Sequence, residues 1–157
     1  MFSKPTFVLR GRPLLPIVQG GMGIGISAHR LAGAVARTGA VGTIASVDLR
    51  HLHADLREQA RHCRDRATLD RLNLVALDRE IRAALELAGG RGLVAVNVMK
   101  AVDAHPDYVR QACASGAQAI VMGAGLPLDL PDLAAGHPDV ALIPILSDAR
   151  GVAIVLK

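Results

Sequence analysis

The stretch LLPIVQGGMGIGIS, residues 14–27, decides the fold of this chain. It begins as a short continuous apolar run, passes through four glycines at positions 20–25, and leads into a helical pattern that Ser27 can cap and that closes near Gly39. A buried strand that turns through glycines into a helix is typical of a parallel α/β fold. We therefore predict a first strand at 14–19, followed by a helix.

Similar apolar runs recur along the chain and are separated by helical patterns. A helical stripe runs from Leu74 to Ala88 and ends at Gly89, and another helix is expected from Tyr108 to Ser115. This alternation predicts one α/β domain over residues 1–157, with parallel strands that lie in space in their sequence order. The remaining predicted strands lie at 40–46, 93–98, 119–123 and 141–146.

Composition excludes several functional classes. The chain has 157 residues, of which 51% are hydrophobic, with no Trp, one Tyr and two Phe, so it lacks the aromatic platforms of single-strand nucleic-acid binders. It contains no apolar run long enough to span a membrane. Its first residues, MFSKPTFVLRGRP, have no apolar run before a small-residue cleavage site, so we expect no leader peptide in them. Cys63 and Cys113 have no metal-ligand spacing around them. We expect a cytoplasmic protein without nucleic-acid or membrane partners.

The segment 50–71 departs from the α/β pattern and predicts a basic helical insertion. Six arginines and three histidines alternate there with acidic residues, which favours a solvated helix face over an anion-binding or nucleic-acid patch. His51 and His53 have no third ligand at usable spacing, so no metal site is predicted.

The glycine loop after the first strand predicts a cofactor site, because glycines let main-chain N–H groups approach a ring or a phosphate closely. Gly23, Gly25 and Ala28 fit a dinucleotide fingerprint, and Asp48 lies where a ribose-binding acid is expected. However, residues 19–22 intervene between the strand and that fingerprint. The residues alone leave open a Rossmann-type NAD(P)-binding module and a loop for another cofactor.

Four motifs in order resemble one enzyme family. They are PIVQGGMG (16–23), LAGAVARTGAVGTIAS (31–46), VNVM (96–99) and MGAGLP (122–127). The chain from about Pro13 onward thereby resembles the nitronate monooxygenases, formerly called 2-nitropropane dioxygenases, and the related flavin-dependent enoyl-ACP reductases. The resemblance implies an FMN-dependent (β/α)8 TIM barrel that oxidises a small-molecule nitronate with O2. Its flavin would lie at the carboxyl ends of the strands, where barrel chemistry is expected.

The resemblance also implies which residues bind FMN. The main chain of residues 21–23 is expected to contact the flavin, and Asn97 to be a polar ligand, since an amide offers both a donor and an acceptor. Gly123 and Ala124 match a small-residue stretch that leaves room at the barrel mouth. The expected cofactor-binding residues are therefore Gln19, Gly21, Met22, Gly23, Asn97, Gly123 and Ala124.

The length departs from the family's pattern. A (β/α)8 barrel needs about 250 residues, so this chain is expected to hold five strands and the start of a fifth helix at Asp148. In the family, a histidine follows the sixth strand and phosphate-binding loops follow the seventh and eighth. His29, His105 and His137 are not its equivalents, and we assign no catalytic residue. We expect an N-terminal fragment, inactive alone and prone to form homo-oligomers; a non-catalytic oligomerising remnant is the other alternative.

Overall fold

The computed structural model describes residues 6–156. Residues 1–5, which begin the segment considered above for a leader, and residue 157 lie outside that range. Among the described residues, no helix combines the length and the apolar character that crossing a bilayer requires. The strands are β1 (Phe7–Leu9), β2 (Arg12–Leu14), β3 (Val41–Ala45), β4 (Leu93–Met99), β5 (Ala119–Gly123) and β6 (Ala141–Pro144). The helices are α1 (His29–Arg37), α2 (Ala54–Ala60), α3 (Arg66–Ala88), α4 (His105–Ala114), α5 (Leu130–Leu133) and α6 (Ala149–Val155), with a 3-10 helix at Leu49–Leu52.

The main sheet has four parallel strands in the order β3-β4-β5-β6. Asn97 of β4 pairs with Ala45 of β3 and with Val121 of β5. The predicted α/β class with parallel strands in sequence order is confirmed for these four strands. A doubly wound Rossmann sheet would place its first strand centrally and reverse the order there, which is not the arrangement of the described strands.

The predicted first strand at 14–19 is wrong in its extent. Leu14 belongs to a β1–β2 antiparallel hairpin, and the later part of the run makes a single parallel bridge, between Val18 and Val41. Pro16 lies between the two pieces and has no N–H to give to a ladder, which explains why the strand is interrupted. Strand β6 likewise ends at Pro144, two residues earlier than predicted.

One face of the sheet is covered by helices, of which α1 lies closest. A Cβ atom on Gly42 would come within 1.8 Å of the Ala32 carbonyl oxygen, and one on Gly92 within 2.1 Å of the Ala36 oxygen. These two glycines therefore bring the main chain of α1 directly against the sheet. The larger apolar core fills this layer, with Ile44, Leu77, Ile81, Val96 and Ile120 fully buried.

The β1–β2 hairpin packs against the opposite, inner face of the sheet. Leu14 is buried there against the first residues of the strands, and Phe7 and Leu9 pack at its side. The strand residues of this second cluster are Val41, Leu93, Ala95, Ala119 and Ala141. The hairpin thus covers the amino-end half of the inner face, and it does not cover the carboxyl-end half.

The segment 50–71 is made of three helical pieces. It comprises most of the 3-10 helix, then α2, and finally the first residues of the 23-residue helix α3. Helix α3 begins earlier than the stripe from Leu74 predicts because the Asp65 carboxylate accepts a hydrogen bond from the Thr68 N–H at 2.9 Å. It ends, as predicted, at Gly89, which has a φ of 56°. Ion pairs within the segment, such as Arg66–Asp70, agree with a solvated face.

Candidate functional site

A cleft of about 360 Å³ lies in the carboxyl-end half of the inner face. It brings together four of the predicted cofactor-binding residues, which come from three separate motifs: Gly21, Asn97, Gly123 and Ala124. The other lining residues are Val18, Gly20, Thr43, Val98, Met99, Val121 and Ile145, so the whole lining is uncharged. Gln19, Met22 and Gly23, the remaining predicted contacts, are not among the lining residues.

Gly21 and Asn97 are in close contact across this cleft. A Cβ atom on Gly21 would lie 2.5 Å from the Cβ of Asn97, closer than any side chain allows. The loop after the first apolar run can therefore cross the end of β4 only with glycine at this position. The Asn97 Nδ2 donates to the Val121 carbonyl at 3.4 Å, which is long for an N–H···O bond. The Asn97 amide can therefore exchange this weak contact for a ligand.

The turn after β5 forms the opposite wall. A Cβ on Gly123 would come within 3.1 Å of the Ile145 Cβ, so glycine keeps this side of the cleft open. Ala124 has a φ of 59°, in the left-handed region that favours glycine, and Gly125 follows with a φ of 139°. Backbone held in such conformations is concentrated at binding sites, because the surrounding structure must enforce it.

The side chain of Gln19 has a structural role in this loop. Its Oε1 accepts from the Thr43 N–H at 3.0 Å, and its Nε2 donates to the Thr43 carbonyl at 3.1 Å and also to the Gly20 carbonyl. Both halves of the amide are thus bonded to main chain, so the side chain of Gln19 holds the loop against β3.

Met22 is likewise bonded within the loop. Its N–H donates to the Ser27 Oγ at 2.7 Å, and its carbonyl accepts from the Ser27 N–H at 3.0 Å. The prediction that Ser27 caps helix α1 is therefore wrong, because its hydroxyl closes the glycine loop instead. Helix α1 begins at His29, whose N–H donates to the Glu80 carboxylate at 2.7 Å.

Thr43 is a residue of the cleft that the sequence interpretation missed. It is 1% exposed, and its Oγ1 is buried without a hydrogen-bond partner in the described part of the chain. The signal was available in the alternation of β3, because successive odd positions share one face with Val41 of the inner cluster. Thr43 and Asn97 are the two polar side chains in the lining.

These residues fit the ring of a flavin better than its phosphate. Apolar walls at Val18, Val121 and Ile145 suit an aromatic ring system, and the Asn97 amide and the unpartnered Thr43 hydroxyl suit a ring edge that carries donors and acceptors. The lining supplies no cation, so the phosphate of FMN would be held by groups outside this cleft. The lining therefore has the chemistry that a flavin ring, and not its phosphate, would require.

A charged cluster lies beside the cleft, on the loops that follow β4 and β5. Lys100 Nζ is 2.6 Å from Asp129 Oδ2, and His105 Nε2 lies 2.8 Å from that Nζ and 2.9 Å from that oxygen. Hydrogen bonds from His105 and Lys100 lower the pKa of Asp129 to about 2. This cluster ties the Lys100 end of β4 to the loop that carries Ala124. It gives His105 a structural role.

A second polar cluster centres on the buried Glu80, at a separate cleft near the start of α1. The Glu80 Oε2 lies 2.7 Å from His29 Nδ1, and its Oε1 lies 3.1 Å from His53 Nε2. No group of three or more His, Cys, Asp or Glu side chains within residues 6–156 is arranged to hold a metal ion. Since Glu80 also accepts the first N–H of α1, we interpret this cluster as a helix cap.

The Asp48 carboxylate, considered above as a ribose ligand, is paired with the guanidinium of Arg50. Asp48 has a φ of 53° and precedes the 3-10 helix. Asp48 is thus engaged in a turn, and the strand order differs from that of a Rossmann sheet. Neither observation supports a dinucleotide site at this position.

No protein-family model matches the chain, and the search of curated proteins finds no matching sequence.

Proposed function

We propose that this chain is part of an FMN-dependent oxidoreductase of the nitronate monooxygenase type, and that its uncharged cleft binds the flavin ring. The observation that carries the proposal is the convergence of Gly21, Asn97, Gly123 and Ala124 in one cleft, although they are up to about a hundred residues apart in sequence. Those are residues that the resemblance assigns to the cofactor, from three of its four motifs.

The order of the strands supports a barrel architecture for this proposal. In a (β/α)8 barrel each parallel strand neighbours the next one in sequence, as β3, β4, β5 and β6 do. The hairpin fills the amino-end half of the inner face, and the cleft opens at the carboxyl ends, where barrel enzymes have their active sites. We propose that the described sheet is the arc formed by the first strands of such a barrel.

Each residue of the cleft would have a separate role in binding the flavin ring. Gly21 lets main chain approach the ring, Asn97 offers a donor and an acceptor to its edge, and Val121 and Ile145 keep water from its face. A bound flavin supplies reversible redox chemistry and reacts with O2, and the protein supplies orientation and exclusion of water. No acid–base residue is proposed, because the cleft lining carries no titratable side chain.

The test is a flavin titration of the full chain, followed by absorbance and by quenching of flavin fluorescence. Replacing Asn97 with Ala should raise the dissociation constant for FMN about 10-fold, the effect of losing one or two hydrogen bonds. The matched control is Gln59→Ala, on the exposed side of α2, which should leave the constant unchanged. Nitronate-dependent uptake of O2 should stay at background for this chain, which we expect to be inactive alone; turnover would contradict that expectation. The proposal would be contradicted if the wild-type chain bound neither FMN nor riboflavin at a flavin concentration of ~100 μM, which is about a hundred times a micromolar dissociation constant.

We also propose that the chain self-associates, since α6 has no buried residue in this structure. Val152 is 43% exposed and Leu156 80% exposed, and Ile145 at the β6 side is 54% exposed. Apolar groups next to an open sheet edge favour association with a second copy. Sedimentation velocity decides this: a colourless oligomer favours the non-catalytic alternative, and a monomer that binds flavin contradicts self-association.

A further inference from the structure

Thr43 has an unexplained hydroxyl in the cleft. Its Oγ1 is buried and without a partner, whereas its main-chain N–H and carbonyl are both bonded to Gln19. Nearly all buried polar groups in folded proteins are hydrogen-bonded, and an exception calls for a missing ligand or water. The residue lies on the same sheet face as Val41 and contributes to the cleft lining beside Asn97.

A second buried hydroxyl without a hydrogen-bond partner, at the end of β3, lies outside the cleft and therefore serves as a comparison for Thr43. The Ser46 Oγ is also buried and has no hydrogen-bond partner among the described residues, but Ser46 does not line the cleft. Positions 42, 44 and 46 alternate to the helix-covered face, where Ile44 lies in the larger core. Thr43 and Ser46 therefore share chemistry and burial, and differ in access to the cleft.

We propose that Thr43 is a ligand-binding residue, and that its hydroxyl and the Asn97 amide together hydrogen-bond the edge of an uncharged heteroaromatic ring. A hydroxyl both donates and accepts, as does an amide, so this pair matches an edge of alternating carbonyl and N–H groups such as the pyrimidine part of a flavin. The uncharged lining excludes a charged group as the preferred occupant, since a buried charge without a partner is costly. This inference rests on the proposed function.

The experiment compares Thr43→Val, which removes the hydroxyl at nearly constant shape, with Thr43→Ser, which keeps it. Ser46→Ala is the matched control for removing a buried, unpartnered hydroxyl outside the cleft. Dissociation constants are measured on the full chain with riboflavin and with FMN, because riboflavin reports the ring without the phosphate. Urea unfolding of each ligand-free variant gives an independent readout of stability.

Thr43→Val should raise the dissociation constant for riboflavin and for FMN by the same factor, about 3- to 10-fold, as expected for one hydrogen bond. Thr43→Ser should recover most of that loss, and Ser46→Ala should leave both constants unchanged. Ligand-free Thr43→Val should unfold at the same or a higher urea concentration than the wild type, because an unpartnered hydroxyl has been removed.

The outcomes separate the two proposals. If the wild type binds riboflavin and Thr43→Val binds it equally well, the hydroxyl is satisfied by a buried water and only the role of Thr43 is overturned. If Ser46→Ala weakens binding as much as Thr43→Val, the effect is indirect and the role is again overturned. If the wild type binds no flavin, the proposed function and this inference both fail.

Discussion

The side-chain amide of Gln19 pairs with the main chain of Thr43 on both sides, accepting from its N–H at 3.0 Å and donating to its carbonyl at 3.1 Å. The Gln19 N–H meanwhile donates to the Val41 carbonyl at 2.9 Å. The parallel bridge between Val18 and Val41 starts a row of hydrogen bonds to β3, and the Gln19 side chain extends that row to Thr43. The main chain is thereby free to leave the sheet at Gly20 and turn toward Asn97.

Replacing Gln19 with Met should therefore destabilise the fold. The change leaves the Thr43 N–H and carbonyl without partners, which corresponds to a loss of about 1–3 kcal/mol in the free energy of unfolding. Urea unfolding followed by circular dichroism measures this. Gln59→Met, at an exposed position of α2, is the control and should have almost no effect. Equal midpoints for the two variants would show that water replaces the amide at no cost.

Gly21→Ala should disturb the cleft, whereas Gly136→Ala, before β6 and outside the cleft lining, should not. A Cβ on Gly21 would lie 2.5 Å from the Asn97 Cβ, while one on Gly136 would meet nothing within 4 Å. The first substitution must move the loop or Asn97, and we expect a loss of stability of about 1–3 kcal/mol together with weaker flavin binding. Urea unfolding and flavin titration of both variants check this pair. Indistinguishable behaviour of the two would mean that the loop moves aside freely.

The strands and the long helix were predictable because their signals are local. Continuous Val- and Ile-rich runs predicted β3, β4 and β5, and Gly89 marked the end of α3. The first strand was predicted too long because the apolar run hides the interruption at Pro16. The start of α3 was missed because the cap at Asp65 lies within a run of charges that does not show apolar periodicity.

Only the site residues at the carboxyl ends of strands could be predicted from the sequence. Asn97 and Gly123 follow from the rule that parallel strands bring their carboxyl ends together. The pairing of Gln19 with Thr43 joins residues 24 positions apart through a side chain, and no pattern of hydrophobicity records such a bond. The same holds for Ser27, whose hydroxyl could equally have capped the helix that follows it.

Asp129→Asn should lower stability at neutral pH and lose its effect in acid. The folded-state pKa of Asp129 is about 2, held below the ordinary value of 3.8 by His105 and Lys100. Its contribution is therefore fully present above about pH 4 and disappears as the pH falls toward 2. Because the carboxylate is about a third exposed, we expect about 1 kcal/mol at pH 7.

Denaturant unfolding of the wild type and Asp129→Asn at several pH values between 2 and 7 measures this contribution. Asp139→Asn, at an exposed carboxylate, serves as the control. A difference for Asp129→Asn that stays constant down to pH 2 would contradict the ion pair.

The single tyrosine allows a direct spectroscopic check. Burial raises the pKa of Tyr108 above its ordinary 10.0, and the hydrogen bond from the Asn73 Nδ2, 2.9 Å from the phenol oxygen, offsets part of that rise. Since the folded state retains the proton longer than the unfolded state, stability should fall as the pH rises above 10. Tyrosinate absorbance should therefore appear at a higher pH in the native chain than in urea. Coincident titration curves would show that Tyr108 is open to water.

The β1–β2 hairpin closes one end of the inner face of the sheet. Leu14 fills its amino end, so a small molecule reaches Asn97 from the side of the carboxyl ends. Val8, in the middle of β1, is 67% exposed and is not among the residues that line the cleft. A fluorophore or a surface tether attached at Val8 would leave the entrance unobstructed, so an immobilised chain would present its cleft to the solution.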